Sequence, residues 1–263
     1  MENGQLVFDN SIIQVHPFYP HCRSTLLDLS NKDYSKEGFL FNPKIECLDM
    51  DHYEKEVLHS SIPDNTMDAA IGVANYVNKD KRNIRLLLVE LRMGYGSTKR
   101  FSETDIIRKI THTRDLLRES PLDNSEIFVY KEDVAPKAKR WFSSKSKQYA
   151  ALSNSIVFSV STFEEAVKDF DSLPYIPIYS EACIYRDLNC HVTSENWSKF
   201  FEQFSYWCDI AIGFLYKKPF EYEHLKDVLR RFWISFKNEN HTLNEDEELD
   251  LEIIEEDYDK ILF

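Results

Sequence analysis

Along residues 84–92, IRLLLVELR, apolar side chains follow one another with little polar interruption, which predicts a central strand covered on both faces. Residues 68–77, DAAIGVANYV, are also strand-like, and the charged stretch NKDKRN between the two makes them the arms of a hairpin. Shorter runs at 126–130 (EIFVY) and 155–160 (SIVFSV) predict two further buried strands. Residues 5–15 and 38–48 predict two more near the N-terminus, separated by Pro17, Pro20 and a polar stretch. Helical spacing marks FSETDIIRKITHTRDLLRES (101–120), with Ile106, Ile107, Ile110, Leu116 and Leu117 as its buried stripe and Ser102 or Thr104 as its cap. Residues 50–59 predict a short helix with Tyr53, Val57 and Leu58 on one side, ended by the turn signals of SSIPDNT. Another helix is expected in STFEEAVKDF, capped by Ser161 or Thr162.

From about residue 193 the pattern changes to two aromatic-rich helices interrupted at KKPF, either a subdomain or a long pair packed on the sheet. The predicted class is therefore α/β (α+β), a central mixed sheet flanked by helices with a C-terminal helical subdomain. The expected divisions are N-terminal strands and loops at 1–49, a core at 50–175, the helical subdomain at 176–243 and an acidic tail at 244–263.

Composition narrows the function. A hydrophobic fraction of 43%, with 14 Tyr and 18 Phe, supplies a sizeable core, and only 6 glycines argue against a Gly-rich phosphate loop. No apolar run is long enough to span a membrane and the N-terminus lacks a secretory pattern, so a cytoplasmic protein is expected. Five scattered cysteines are expected to be reduced and buried. Cys183, Cys190 and His191, with Cys208 beyond, come nearest to a metal pattern, but no Cys-x-x-Cys pair accompanies them and no zinc site is expected. The net charge is −13, of which the last 20 residues carry −9, leaving −4 for the other 243. That mild balance, with local basic clusters, leaves a nucleic-acid substrate open. The tail mixes its acids with Leu, Ile, Tyr and Phe, so it is expected to dock: into a partner's groove, onto a sheet edge, or over the protein's own basic surface.

The hairpin holds the candidate chemistry. Pairing Val77 with Ile84 sets Ile71 opposite Glu90 and Asp68 beside Met93, close to Glu90-Leu91-Arg92, with Glu90 and Arg92 on one face. Paired carboxylates at a strand end suit a hard divalent cation such as Mg²⁺, which polarises a phosphate and activates a water. The bland alternative is a same-face ion pair between Glu90 and Arg92.

The combination resembles the PD-(D/E)xK (restriction-endonuclease-like) nuclease superfamily, which carries an aspartate on one hairpin arm and Glu-x-Lys on the next, then a helix. Here the matching residues are Pro63-Asp64 or Asp68, then Glu90-Leu91-Arg92, within about residues 50–160. The resemblance implies Mg²⁺ or Mn²⁺ held by Asp68 and Glu90, with the Leu91 carbonyl as a third ligand and Glu56 or Glu54 as a further one. It departs from the family at Arg92, where a lysine is usual. Arginine stays charged and cannot act as a general base, though it can grip a phosphate. Three readings stay open: Arg92 binds the phosphate, a lysine from elsewhere (Lys109 or Lys99) takes the role, or catalysis is lost.

Residues 131–147, KEDVAPKAKRWFSSKSK, predict a basic loop whose Lys137, Lys139, Arg140, Lys145 and Lys147 contact a phosphate backbone while Trp141 and Phe142 stack on bases. Lys99, Arg100, Arg108, Lys109, His112 and Arg114 add positive charge after the Glu-x-Arg strand; a solvated face is the competing reading. His112 reads as a partly buried structural histidine. The expectation is a metal-dependent nuclease acting on DNA more than RNA, and the resemblance implies a subunit of a bacterial defence-type complex with an ATPase or sensor partner. The alternatives are an inactive adaptor that keeps the fold, and an immunity protein whose acidic surface mimics DNA.

Overall fold

The computed structural model describes residues 4–33, 41–59 and 65–262. The chain divides into two compact units, Met1–Pro174 and Tyr175–Phe263.

In the first unit, β1 (Gln5–Phe8) stops where Asp9 accepts the Ser11 amide and turns the chain into α1 (Asn10–Gln14), so the strand expected over 5–15 is half strand, half helix. Next come α2 (Tyr19–Cys22), β2 (Arg23–Thr25), α3 (Leu26–Asp33), β3 (Glu46–Asp49) and α4 (Met50–His52), which runs into a π-helical turn at Tyr53–Val57. The strand expected over 38–48 is confined to β3, with residues 38–40 outside the described residues.

The hairpin is β4 (Ala69–Val77) and β5 (Asp80–Arg92). Its turn is only Asn78-Lys79, both at positive φ (48° and 69°), the backbone of a two-residue hairpin loop. The predicted six-residue loop is therefore mostly strand, and Val77 pairs with Asp80 instead of Ile84. Ile71 lies opposite Leu87, three residues from the expected Glu90.

A turn at Thr98–Arg100 leads to α5 (Glu103–Leu116), capped by Ser102, and then to β6 (Leu122–Tyr130). The basic run expected as a loop is α6 (Ala135–Lys145), because Ala135, Ala138 and Phe142 recur at helical spacing and are buried. After β7 (Ser155–Ser159), α7 (Val160–Ala166) starts about two to three residues earlier than expected, with Ser159 and Thr162 forming a reciprocal capping box.

Among the described residues seven strands form one mixed sheet in the order β2-β3-β4-β5-β6-β7, with β1 also on β4. The pairs from β2 to β5 are antiparallel, while β5-β6 and β6-β7 are parallel. Leu86 and Leu88 of β5 belong to the cluster with Ile106 and Ile110 of α5 and Phe142 of α6. Leu87, Val89 and Leu91 belong to the opposite cluster, with Leu26 and Leu29 of α3 and Phe163 of α7. The sheet is thus covered on both faces, and Glu90, next in the even-numbered series, shares its face with α5.

The second unit consists of α8 (Glu181–Val192), α9 (Trp197–Phe214), α10 (Pro219–Lys237) and α11 (Glu245–Leu262). Its core is aromatic: Phe204 stacks on Trp233 with centroids 4.6 Å apart, and Phe200 meets Phe236 at 4.6 Å. The acidic tail is α11, whose Ile254 is buried and whose Leu251 and Tyr258 pack against the same core. Leu251, Ile254 and Tyr258 of the tail are thereby used within this unit, while Leu249 and Ile253 are exposed. No helix among the described residues is long and apolar enough to cross a membrane.

Candidate active site at the end of the hairpin

Asp68 immediately precedes β4, and its carboxylate turns back to accept the Leu91 N–H at 2.6 Å. Continuing the observed register by one residue sets Asp68 across from Glu90, where the expected register put it beside Met93. Glu90 is 1% exposed. Its Oε1 accepts Lys109 Nζ from α5 at 2.8 Å and lies 2.8 Å from Arg92 Nη2. Lys109 Nζ is also 3.9 Å from Asp68 Oδ1, so one ammonium stands between the two carboxylates. Arg92 donates through Nη1 to the Tyr95 hydroxyl at 2.6 Å and lies over that ring. Two buried atoms of this cluster, Glu90 Oε2 and Arg92 Nε, have no hydrogen-bond partner among the described residues.

Electrostatics follow from this crowding. Burial, and next the neighbouring Glu90, raise the pKa of Asp68 well above the usual carboxylate range, against the opposing pull of Lys109 and the Leu91 amide. For Lys109 burial disfavours the charge, but Glu90 and Asp68 outweigh it and hold its pKa above that of an ordinary lysine. Arg92 behaves likewise, with Glu90 the main opponent of burial. Both bases are therefore cations in the folded protein.

These residues line a cleft of about 820 Å³ together with Leu91, Asp51, Arg100 and the 94–97 loop. Asp51 also lines an adjoining hollow with Asp68, Lys32 and Glu56. The upstream carboxylate at the cleft is thus Asp51, which accepts the Thr66 hydroxyl at 2.5 Å. Glu56 is exposed and reaches only the hollow, and Glu54 is buried with one oxygen 2.8 Å from His112 Nε2. These two acids lie on the π-helical turn that follows α4, whose geometry helix spacing alone could not show. Asp51 was detectable as an acid in the first turn after the Asp49 cap. Asp64 lies outside the described residues.

Of the candidate nucleic-acid contacts, Arg100 reaches the cleft, whereas Lys99 is exposed on its turn. Lys137, Lys139, Arg140 and Lys147 are exposed on or just after α6 and do not line the cleft. Lys145 is bound to Glu103 at 3.0 Å. Phe142 is buried and not free to stack on a base, while Trp141 is half-buried and packs edge-on against Phe101. Thr113, one turn beyond Lys109, is buried and accepts the Met67 amide at 2.8 Å, tying α5 to the segment that carries Asp68. Arg114 is likewise committed, to buried Glu126 at 2.6 Å. No family model, curated protein or solved structure matches the chain.

Proposed function

We propose that the chain is a metal-dependent nuclease that hydrolyses phosphodiester bonds, DNA before RNA, with the architecture of the PD-(D/E)xK superfamily and Arg92 at the usual lysine position. The observation that carries this reading is Glu90. It is a buried carboxylate with one oxygen shared by two cations and the other without a partner, across the hairpin from Asp68 at a polar cleft. Buried Glu126 and Glu221 also leave one oxygen without a partner, but only Glu90 of the three lines the cleft and stands across from a second carboxylate.

Asp68 and Glu90 would hold Mg²⁺ or Mn²⁺, with Asp51 a further carboxylate lining the same cleft and the Leu91 carbonyl the third ligand that the resemblance implies. The bound ion supplies a polarised phosphate and a water of lowered pKa. The rest falls to the chain. Arg92 and Arg100 present guanidinium groups to the cleft, suited to the non-bridging oxygens of a phosphate. Lys109, whose ammonium stands between the two carboxylates, would stabilise negative charge that builds there. The lysine thus comes from the helix behind the strand, while arginine occupies the motif.

A second reading has its own support. Asp68 and Glu90 are matched one for one by Lys109 and Arg92, a self-compensated set that needs no ion. On that reading the chain is an adaptor that keeps the fold and uses its helices and acidic tail to organise a complex. Cleavage of supercoiled and linear DNA with Mg²⁺ or Mn²⁺, alone and with any protein encoded beside it, separates the two. The nuclease reading expects cutting that falls by about two orders of magnitude or more in Glu90→Gln. No cutting, together with equal Mn²⁺ binding by wild type and Glu90→Gln in calorimetry, favours the adaptor.

A further inference from the structure

The second unit carries a different cluster. On α8, Asp187, Cys190 and His191 are spaced i, i+3, i+4 and share one face of the helix. A carboxylate oxygen, the thiol sulfur and an imidazole nitrogen all lie within 4.8 Å of one another, and no other such group occurs among the described residues. Bonds to zinc of about 2.0–2.3 Å put ligand atoms roughly 3–4 Å apart, which small rotamer changes at this site supply.

Two features hold the cluster in place. Asp187 Oδ2 accepts both Gln203 Nε2 and Trp207 Nε1 from α9, each at 2.9 Å, leaving Oδ1 for another partner. Outer donors of this kind orient a ligating carboxylate. The last turn of α8 is also pinned: Thr193 Oγ1 donates to the Asn189 carbonyl at 2.9 Å, Ser194 Oγ to that of Cys190 at 2.9 Å, and the Asn196 amide to that of His191 at 3.0 Å. The backbone beneath both soft ligands is therefore fixed before any ion arrives. Cys190 is exposed, and its thiol donates to the Asp187 carbonyl at 2.9 Å, a bond that an ion at the sulfur would replace.

We propose that Asp187, Cys190 and His191 form a three-ligand site for a transition-metal ion of the zinc class, with the fourth position open to water. Thiolate and imidazole donors select such an ion over Mg²⁺. Binding releases the Cys190 thiol proton to solvent, and a lone pair of the resulting thiolate forms the metal bond. The site is independent of the nuclease reading. The proposed site departs from the expectation of no zinc site through Asp187, a carboxylate outside any Cys-x-x-Cys pattern.

The test uses the full chain, reduced and stripped with a chelator, titrated with Co²⁺ as the probe. Wild type should bind one equivalent with a thiolate-to-cobalt absorption band that Zn²⁺ abolishes by displacement. Cys190→Ser should lose the band, and His191→Ala and Asp187→Asn should weaken binding by about tenfold or more. Cys183→Ser, on the same helix outside the cluster, should change nothing. Melting curves of the metal-free variants that match wild type exclude misfolding as the cause of a loss. Absence of the band in wild type, or its persistence in Cys190→Ser, overturns the proposal.

Discussion

At Asp68 burial and the nearby Glu90 carboxylate both oppose ionisation, and Lys109, the Leu91 amide and Arg92 offset them only in part. The folded protein therefore holds the Asp68 proton more tightly than the unfolded chain, whose carboxylates titrate near about 3.9. Over the window between that value and the raised folded one, the folded state binds more protons, so this residue's contribution to stability falls as the pH rises. Asp68→Asn keeps an acceptor for the Leu91 amide and removes the charge. Urea unfolding should find it more stable than wild type at neutral pH, with the difference narrowing as the pH approaches about 4. Equal stability at both pH values would mean that Asp68 ionises freely. Residues of this kind were legible in the chain as types: Asp68, Glu90, Arg92 and Lys109 were all singled out by position. What could not be read was Lys109 standing between two carboxylates, since that depends on the rotation of α5 about its axis against the even-numbered face of β5.

The hairpin shows how a single turn governs an element. The stretch NKDKRN lacks the Asn-Gly pair of the strongest hairpin signals, so a longer loop was expected, yet Asn78 and Lys79 both take positive φ and the strands run on to Asp80. Asparagine tolerates that conformation better than most residues, and Lys79 is anchored there by its ammonium on the Phe170 carbonyl at 2.8 Å. Further along β4, α1 crosses so closely that a Cβ on Gly72 would sit 2.6 Å from the Asp9 carbonyl oxygen and 2.7 Å from Ile12 Cβ. Gly72→Ala should therefore destabilise the protein by about 1–3 kcal/mol in denaturant titration, since backbone as well as side chain must move. A neutral result would show that α1 shifts freely on the sheet. α6 teaches the converse lesson. Its charge density drew attention to a nucleic-acid loop, while its Ala135, Ala138 and Phe142 spacing was already that of a helix.

At the scale of the whole molecule, residues 175–263 have a core of their own, in which Trp197, Phe200, Phe204, Leu225, Phe232 and Phe236 are buried together with Ile254 of the acidic helix. Expressed alone, this segment should be helical by circular dichroism and melt in one cooperative step; a broad, gradual loss of signal would show that it needs the first unit to fold. Truncation at Asn244 should lower that transition, because it removes Ile254 and the ion pair between Glu255 and Lys237. The sequence by itself determined the class of the fold, the hairpin, the buried central strand and the helices that follow, because periodicity records which faces lose contact with water. It also located the acids and bases of the cleft to within a strand or a helix. Tertiary structure alone decided the register that sets Asp68 opposite Glu90, the choice of Asp51 over Glu54 and Glu56, and the Gln203 and Trp207 donors that hold Asp187. These are matters of a few ångströms and of side-chain direction, fixed by turn geometry and by packing between elements, which the spacing of residues along a chain does not encode.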